Sequence, residues 1–216
     1  MTGALIVKDP YYILPGFGDD EIKRVNEKMK KKTLYNYATL DQKERAEMAP
    51  YVFGLEEGSK ELKYKLEQQE LCIEALPIVE LQMTAEVEDE EECVVGDVLT
   101  CKLTVKFKNL ESGQKTGFAH SKHYPFLKRD NWFLIITDEH LQSLASVEKL
   151  YLNDSTFEKE FKERIHRPGR IAFTAILTND SYRGLDQMKK VEIDVKSKAT
   201  KRKDIEYTKY DMKEVK

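Results

Sequence analysis

The chain has 216 residues, 40% hydrophobic and 35% charged, with 36 Lys plus Arg against 39 Asp plus Glu and a formal net charge of -3 at pH 7. This balance sets no global electrostatic demand for nucleic acid or anionic lipid, and aromatic residues in patterned runs exclude disorder throughout. No uncharged apolar stretch approaches the roughly 18 residues of a membrane helix, the best run being Trp132 to Ile136, and Met1 to Pro10 lacks the features of a signal peptide.

Apolar spacing is helical from Met1 to about Ala75 and changes to a period of two from Leu76, which puts a boundary near Pro77. Leu14 to Gly18 reads as a turn, after which Asp19 or Asp20 is expected to cap a helix whose Ile22, Val25 and Met29 share a face. Lys30, Lys31 and Lys32 load its far end, where the dipole is negative. Asp41 and Glu44 form a capping-box pair before a second helix that Pro50 is expected to stop. Ser59 caps a third and longer helix with Leu62, Leu66 and Ile73 near one face and a solvated polar side.

From Ile78, Val79, Leu81, Met83, Ala85 and Val87 alternate with polar residues, the pattern of a half-buried strand. Leu99, Cys101, Leu103, Val105 and Phe107 repeat it after the acidic stretch Glu88 to Glu92. Further strands are expected at Trp132 to Thr137, Leu141 to Ser146, Lys149 to Leu152, Phe157 to Ile165, Ile171 to Thr178 and Met188 to Val195. Short strands with frequent turns and no helix between them predict an antiparallel sandwich, with a barrel as the alternative. The organisation is therefore segregated α+β: helices over 1–76, a sandwich over 77–196 and a solvated tail over 197–216. From Lys196 on, eight Lys or Arg face four Asp or Glu.

Signatures of catalysis are missing: no phosphate-binding GxxxxGKS loop, GxGxxG, HExxH or GxSxG occurs. His120 and His123 stand three apart beside Tyr124 and Pro125, which favour extended backbone and so place the two rings on opposite sides, an arrangement unsuited to a shared metal. Cys72, Cys93 and Cys101 form no CxxC pair and are odd in number, which points to a reducing compartment, with Cys101 a small core residue. The acidic stretch lacks the alternating pattern of a calcium loop. Ser181 sits in the strand reversal begun by Asn179 and Asp180 and has no base beside it. Leu14 to Gly18 looks like half of a helix-hairpin-helix nucleic-acid module, but a second glycine hairpin is missing and no aromatic residues interleave with Lys28 to Lys32. No catalytic residue, metal ligand or cofactor is expected.

Three stretches, in order, resemble the Brl domain of the J-protein subunit of the endoplasmic-reticulum Sec translocon, a domain type that recurs in spliceosomal Ski-two-like RNA helicases. The first is Leu14-Pro15-Gly16-Phe17, a helix, Leu34 to Leu40 and Glu44-Arg45. The second runs from Ala119 and His120 through Tyr124-Pro125-Phe126 to Trp132-Phe133 and Ile136-Thr137-Asp138. The third is Asn179-Asp180-Ser181-Tyr182-Arg183-Gly184-Leu185-Asp186-Gln187, followed by the strand Val191 to Val195. The resemblance implies a helical piece followed by a fibronectin type III or immunoglobulin-like sandwich, acting as a non-enzymatic module that contacts the Sec channel and associated translocon subunits on the cytosolic face of the endoplasmic reticulum. Leu185 favours the translocon branch, because the helicase branch usually has Cys there; the alternative is an accessory cassette of such a helicase, in an RNA context. The expected interaction loops hold Gln114, Lys115, Thr116 and Arg183. Trp132, Phe133, Asp180, Tyr182, Gly184, Asp186 and Gln187 are expected to determine the fold, with Tyr182 and Asp186 fixing one reversal of the sandwich.

Overall fold

The computed structural model describes residues 9–30, 33–87, 92–110, 118–119, 126–138, 143–152 and 155–197. Among these residues, a 3₁₀ turn over Pro10–Ile13 is followed by four helices, α1 (Asp19–Lys28), α2 (Leu34–Ala38), α3 (Gln42–Phe53) and α4 (Lys60–Ala75). Eight strands follow among the described residues: β1 (Val79–Val87), β2 (Cys93–Val94), β3 (Val98–Phe107), β4 (Trp132–Asp138), β5 (Leu144–Leu150), β6 (Thr156–Arg164), β7 (Gly169–Asn179) and β8 (Gln187–Lys196).

Two helix ends differ from expectation. Gly18, not Asp19 or Asp20, is the N-cap of α1, and its amide donates to Glu21 Oε2 at 3.0 Å. The aspartates instead occupy the first turn, where their charge meets the positive end of the dipole. Pro50 does not stop α3. A proline ring removes one backbone donor, but the final turn is held by burial of Val52 and Phe53 and by Gly54 at φ 63. Leu55 N donates to Pro50 O at 3.1 Å, closing that end with a left-handed cap. The other starts agree with the reading: Asp41 N donates to Glu44 Oε2 at 3.2 Å, and Ser59 Oγ accepts from Leu62 N at 3.2 Å. The short α2 carries no amphipathic repeat long enough to announce it; Thr33 Oγ1 opens it by accepting from Asn36 N.

The helices share a core built around four aromatic rings. Phe17 packs on Tyr11, Tyr37 and Phe53 with ring centroids 5.7 to 5.8 Å apart, the range in which aromatic pairs attract beyond simple burial. Arg45, of the Glu44-Arg45 pair, lies inside, only 5% exposed. It donates through Nε to Glu70 Oε1 at 2.8 Å, forms an ion pair with Glu70, and donates to the carbonyls of Ala38 and Leu40 at the end of α2. One guanidinium thus ties α2, α3 and α4 together. The polar side of α4 is not wholly solvated, since Gln69 is fully buried and accepts from Tyr37 Oη at 3.2 Å.

The strands form two sheets, β1-β3-β6 and β2-β8-β7-β4-β5, so the barrel alternative is set aside. One apolar core joins them: Leu81, Leu103 and Val105 from the first meet Trp132, Leu134, Ala175 and Leu177 from the second. Phe161 of β6 and Phe173 of β7 meet edge to face across the gap, with centroids 6.0 Å apart. In β3 the alternation holds, with Leu99, Cys101, Leu103, Val105 and Phe107 all buried. Cys93 and Cys101 are free thiols, and burial, with the charge of Glu163, pushes Cys101 up to about 11.

Two readings of the strands change. The stretches expected at Leu141 to Ser146 and Lys149 to Leu152 contribute to a single edge strand, β5, paired with β4 across a register shift at Ile136/Thr137. The shift skips Ala145, and Leu144 and Val147 both face solvent, so the strand has no buried period of two to mark it as one. The second is β2, too short to show periodicity, which pairs with β8 in parallel and makes the otherwise antiparallel sheet mixed.

Candidate interaction site at the joint of helices and sandwich

The most distinctive stretch of sequence, Asn179 to Gln187, forms the reversal between β7 and β8, and it reaches out of the sandwich into the helices. Asn179 Oδ1 accepts from Ser181 N at 2.7 Å and Tyr182 N at 3.1 Å, the short-range bonding that lets an asparagine turn the chain. Tyr182 and Leu185 then insert among the helical core residues, which include Tyr11, Leu34 and Tyr37. Tyr182 therefore packs in the helical core, whereas the sequence placed it as a brace of the sandwich. Arg183 stands exposed between them.

Gly184 adopts φ +83, and a Cβ there would lie 2.6 Å from Pro10 Cβ and 3.3 Å from Leu34 Cβ. Its carbonyl accepts from Tyr35 N at 3.1 Å, a backbone bond between reversal and helix α2. Gly184→Ala is expected to cost about 2 to 3 kcal/mol, combining left-handed strain with overpacking against the Pro10 turn. Urea titration checks the figure, and a midpoint unchanged by the substitution would show that the joint yields freely.

Asp180 anchors the reversal to the segment leading into β4. Its carboxylate accepts from Asn131 N at 3.0 Å, Asn131 Nδ2 at 2.7 Å and Ser181 Oγ at 2.7 Å, and pairs with Lys128 Nζ at 3.0 Å. Burial alone would raise this carboxyl, but the hydrogen bonds outweigh it and hold the group at about 2. Because its folded pKa lies below the ordinary carboxylate value, its stabilisation is complete above about pH 4 and vanishes as pH falls toward 2. The stability difference between wild type and Asp180→Asn should follow that course, reaching about 1 kcal/mol at neutral pH after allowance for solvent screening. A difference independent of pH would contradict it.

Beside it, Asp130 accepts from Trp132 Nε1 at 2.8 Å and from Asn179 Nδ2 at 3.1 Å. Burial pushes its carboxyl up, these bonds oppose the rise, and the charge of Asp180 adds to it. Trp132 itself is 1% exposed within the sandwich core, while Phe133 lies half-buried next to it on β4. Asp186 Oδ1 accepts from Thr178 Oγ1 at 2.5 Å, and Gln187, half-buried, opens β8 opposite Leu177. Asp186→Ala removes one exposed hydrogen bond and is expected to lower stability by about 1 kcal/mol, measured by thermal melting; no change would mean that the bond is replaced by water.

A second strap crosses the same joint. Asn109, just past β3, donates from Nδ2 to Glu74 O at 2.9 Å and Leu76 O at 2.5 Å, occupying carbonyls that the end of α4 leaves open. Asp130, Asn131, Lys128, Asn109 and Glu70 were not singled out from sequence. For Asp130 a signal existed: a buried indole N–H needs an acceptor, and Asp130 stands two residues before Trp132.

A cleft of about 170 Å³ at the joint is lined by Pro77, Asn109, Leu110, Phe118, Asp130 and Tyr182, among others. The half-buried carboxylate of Asp130 is engaged by Trp132 and Asn179, and among the described residues no histidine or thiol lines the cleft. Among the described residues no group of three or more His, Cys, Asp or Glu is placed to hold a metal, and no helix is long and apolar enough to cross a membrane. Gln114, Lys115, Thr116, His120 and His123 lie outside the described residues, as do most of the acidic stretch and the tail from Lys198; Glu92 pairs with Lys196.

The chain is similar to several much longer proteins. It is 27% identical over 129 residues to the DnaJ protein ERDJ2A of Arabidopsis thaliana, 60% of this chain and 18% of that one. It is 26% identical over 185 residues to the DExH-box ATP-dependent RNA helicase DExH12 of the same plant, 85% of this chain and 8% of that one. Against the U5 small nuclear ribonucleoprotein 200 kDa helicase of Drosophila melanogaster it is 26% identical over 200 residues, 90% of this chain and 8% of that one. The chain thus spans less than a fifth of each of these relatives. The model of the Sec63 Brl domain matches residues 22–192, which run from within α1 to within β8 and take in the whole reversal. On that match, the chain belongs to the Sec63 Brl domain family.

Proposed function

We propose that this chain is a non-enzymatic interaction module of the endoplasmic-reticulum protein-translocation machinery. It docks on the cytosolic side of the Sec channel and its associated subunits during post-translational import, as part of the membrane complex and without a cofactor. The observation that carries this reading is the family match over residues 22–192, and the joint gives it a physical form. Tyr182, Leu185 and Gly184 couple the helices to the sandwich, so a load taken by one is transmitted to the other. The contacts are assigned to the loop with Gln114, Lys115 and Thr116, to Arg183 at the reversal, and to the edge strand β5, whose outer backbone groups suit pairing with a partner strand. Docking biases a channel only to the extent that the module binds its open form better.

A second reading places the chain as an accessory cassette of a spliceosomal Ski-two-like RNA helicase, because the helicase relatives align with 85% and 90% of it against 60% for the DnaJ protein. The two separate in one experiment. The chain immobilised on resin is incubated with detergent-solubilised microsomes and, in parallel, with nuclear extract. Enrichment of channel subunits, reduced by Arg183→Glu, supports the translocon reading. Enrichment of spliceosomal proteins with none of the channel, or RNA binding that falls steeply with salt, overturns it in favour of the helicase reading.

A further inference from the structure

Helices α3 and α4 leave between them an open groove of about 370 Å³, lined by Gln42 and Ala46 on one side and Leu66, Glu67, Glu70, Leu71 and Glu74 on the other. Its walls are mostly apolar surface. Leu71 is 61% exposed, although α4 has a buried side for apolar residues, where Leu62 and Ile73 lie. Glu67, Leu71 and Glu74 fall at i, i+4 and i+7, a single stripe along the outer face of α4. Leu66 and Glu70 form the adjacent row, facing Gln42 and Ala46 of α3.

The charges at this groove have one sign. The lining holds three glutamates and no lysine or arginine. Glu70 is neutralised from within by Arg45, whose guanidinium turns inward to it. Glu67 and Glu74 form no ion pair among the described residues and frame Leu71 at both ends of the stripe. Their separation, seven residues at about 1.5 Å each, is about 10 Å, or two helical turns, with Leu71 between them. A site with that outline matches an amphipathic helix laid in a groove, with apolar anchors at i, i+3 or i+4, and i+7 between flanking cations.

We propose that the α3–α4 groove is the docking site for a basic amphipathic helix of a partner protein. Its leucine-like anchors pack against Ala46, Leu66 and Leu71, and its lysines or arginines pair with Glu67 and Glu74. The partner's sign is set by the unneutralised carboxylates, since an acidic or neutral helix would leave them facing like charge or apolar surface at an energetic cost. This site lies on the helical side of the molecule and requires neither the loop contacts nor the channel named above.

The test uses the full chain and a fluorescein-labelled amphipathic peptide of leucine and lysine, beside a twin in which every lysine is glutamate, read by fluorescence anisotropy. The lysine peptide should bind at least about tenfold more tightly than its twin, with affinity falling as salt rises. The double variant Glu67→Lys, Glu74→Lys and the single variant Leu71→Asp should each weaken it by about tenfold. All three positions are exposed, so melting temperatures should stay unchanged, and amide shift changes on adding peptide should centre on Ala46, Leu66 and Leu71. Equal binding of the two peptides, binding indifferent to the variants, or shift changes confined elsewhere would overturn the proposal. Two further outcomes would also overturn it by naming another occupant. One is self-association of the chain abolished by Leu71→Asp. The other is peptide binding seen only after Lys201, Arg202 and Lys203 are replaced by alanine, which would assign the groove to the chain's own C-terminal stretch.

Discussion

Replacing Tyr182 with alanine is expected to destabilise the protein by about 3 to 5 kcal/mol, the usual cost of emptying a buried aromatic site, and to do so in the helices first. Tyr182 is 7% exposed and belongs to the core of Tyr11, Leu14, Leu34 and Tyr37, although it is carried by the turn between two strands. The substitution leaves the sandwich interior of Leu81, Leu103, Trp132 and Leu177 intact. The chain has one tryptophan, Trp132, buried in that interior, so its fluorescence reports the sandwich while far-ultraviolet dichroism reports the helices. In Tyr182→Ala the dichroism transition should move to lower denaturant than the fluorescence transition. The separation is expected because the ring also couples the helices to the sandwich; equal shifts in both signals would mean that the coupling survives without it, and no shift in either would mean that the tyrosine ring is idle.

The second large effect is expected at Arg45. Arg45→Met removes a buried charge from three elements at once and leaves Glu70, 15% exposed at its side chain, without its counter-ion. Breaking one side of such a pair costs about 3 to 5 kcal/mol. Arg45→Lys should recover only part of that, because an ammonium cannot reach the Glu70 carboxylate and the Ala38 and Leu40 carbonyls together as a planar guanidinium does. Adding Glu70→Leu to Arg45→Met should restore much of the stability, since the stranded carboxylate is then gone. Urea unfolding of wild type, Arg45→Met, Glu70→Leu alone and the double variant gives the cycle. A double variant as unstable as the single one would show that packing of the arginine stem, not charge, is what α3 loses.

How far the sequence reached depended on whether a feature has a period. The alternation in Val79 to Val87 and Leu99 to Phe107 and the switch near Pro77 are repeats, and the two-sheet arrangement followed from them. Where a repeat is broken or too short, sequence does not suffice: β5, with Leu144 and Val147 facing solvent, reads as two pieces, two-residue β2 is invisible, and Pro50 reads as a stop because the left-handed cap at Gly54 and the burial of Phe53 lie beyond it. The joint was legible as a motif but not as a location. Asn179, Gly184 and Asp186 announce a turn by their residue types, yet nothing local says that Tyr182 and Leu185 leave the sandwich for the helices. That follows from long-range neighbours, as does the Asp130 to Trp132 bond and the grip of Arg45 on Glu70. Arg45 shows the same limit: its place in a recurrent acidic-Arg pair marked it, and only the packing of α2 and α4 around it reveals a structural role.

A module that docks on a larger assembly transmits force only if its two halves hold together, and that is tested most directly by unfolding the wild-type chain in urea with both signals followed in one sample. Helix dichroism and Trp132 fluorescence should trace one coincident transition, with a single midpoint and slope. Two separate transitions would contradict the coupling, leaving the helices and the sandwich as independent domains on a loose hinge.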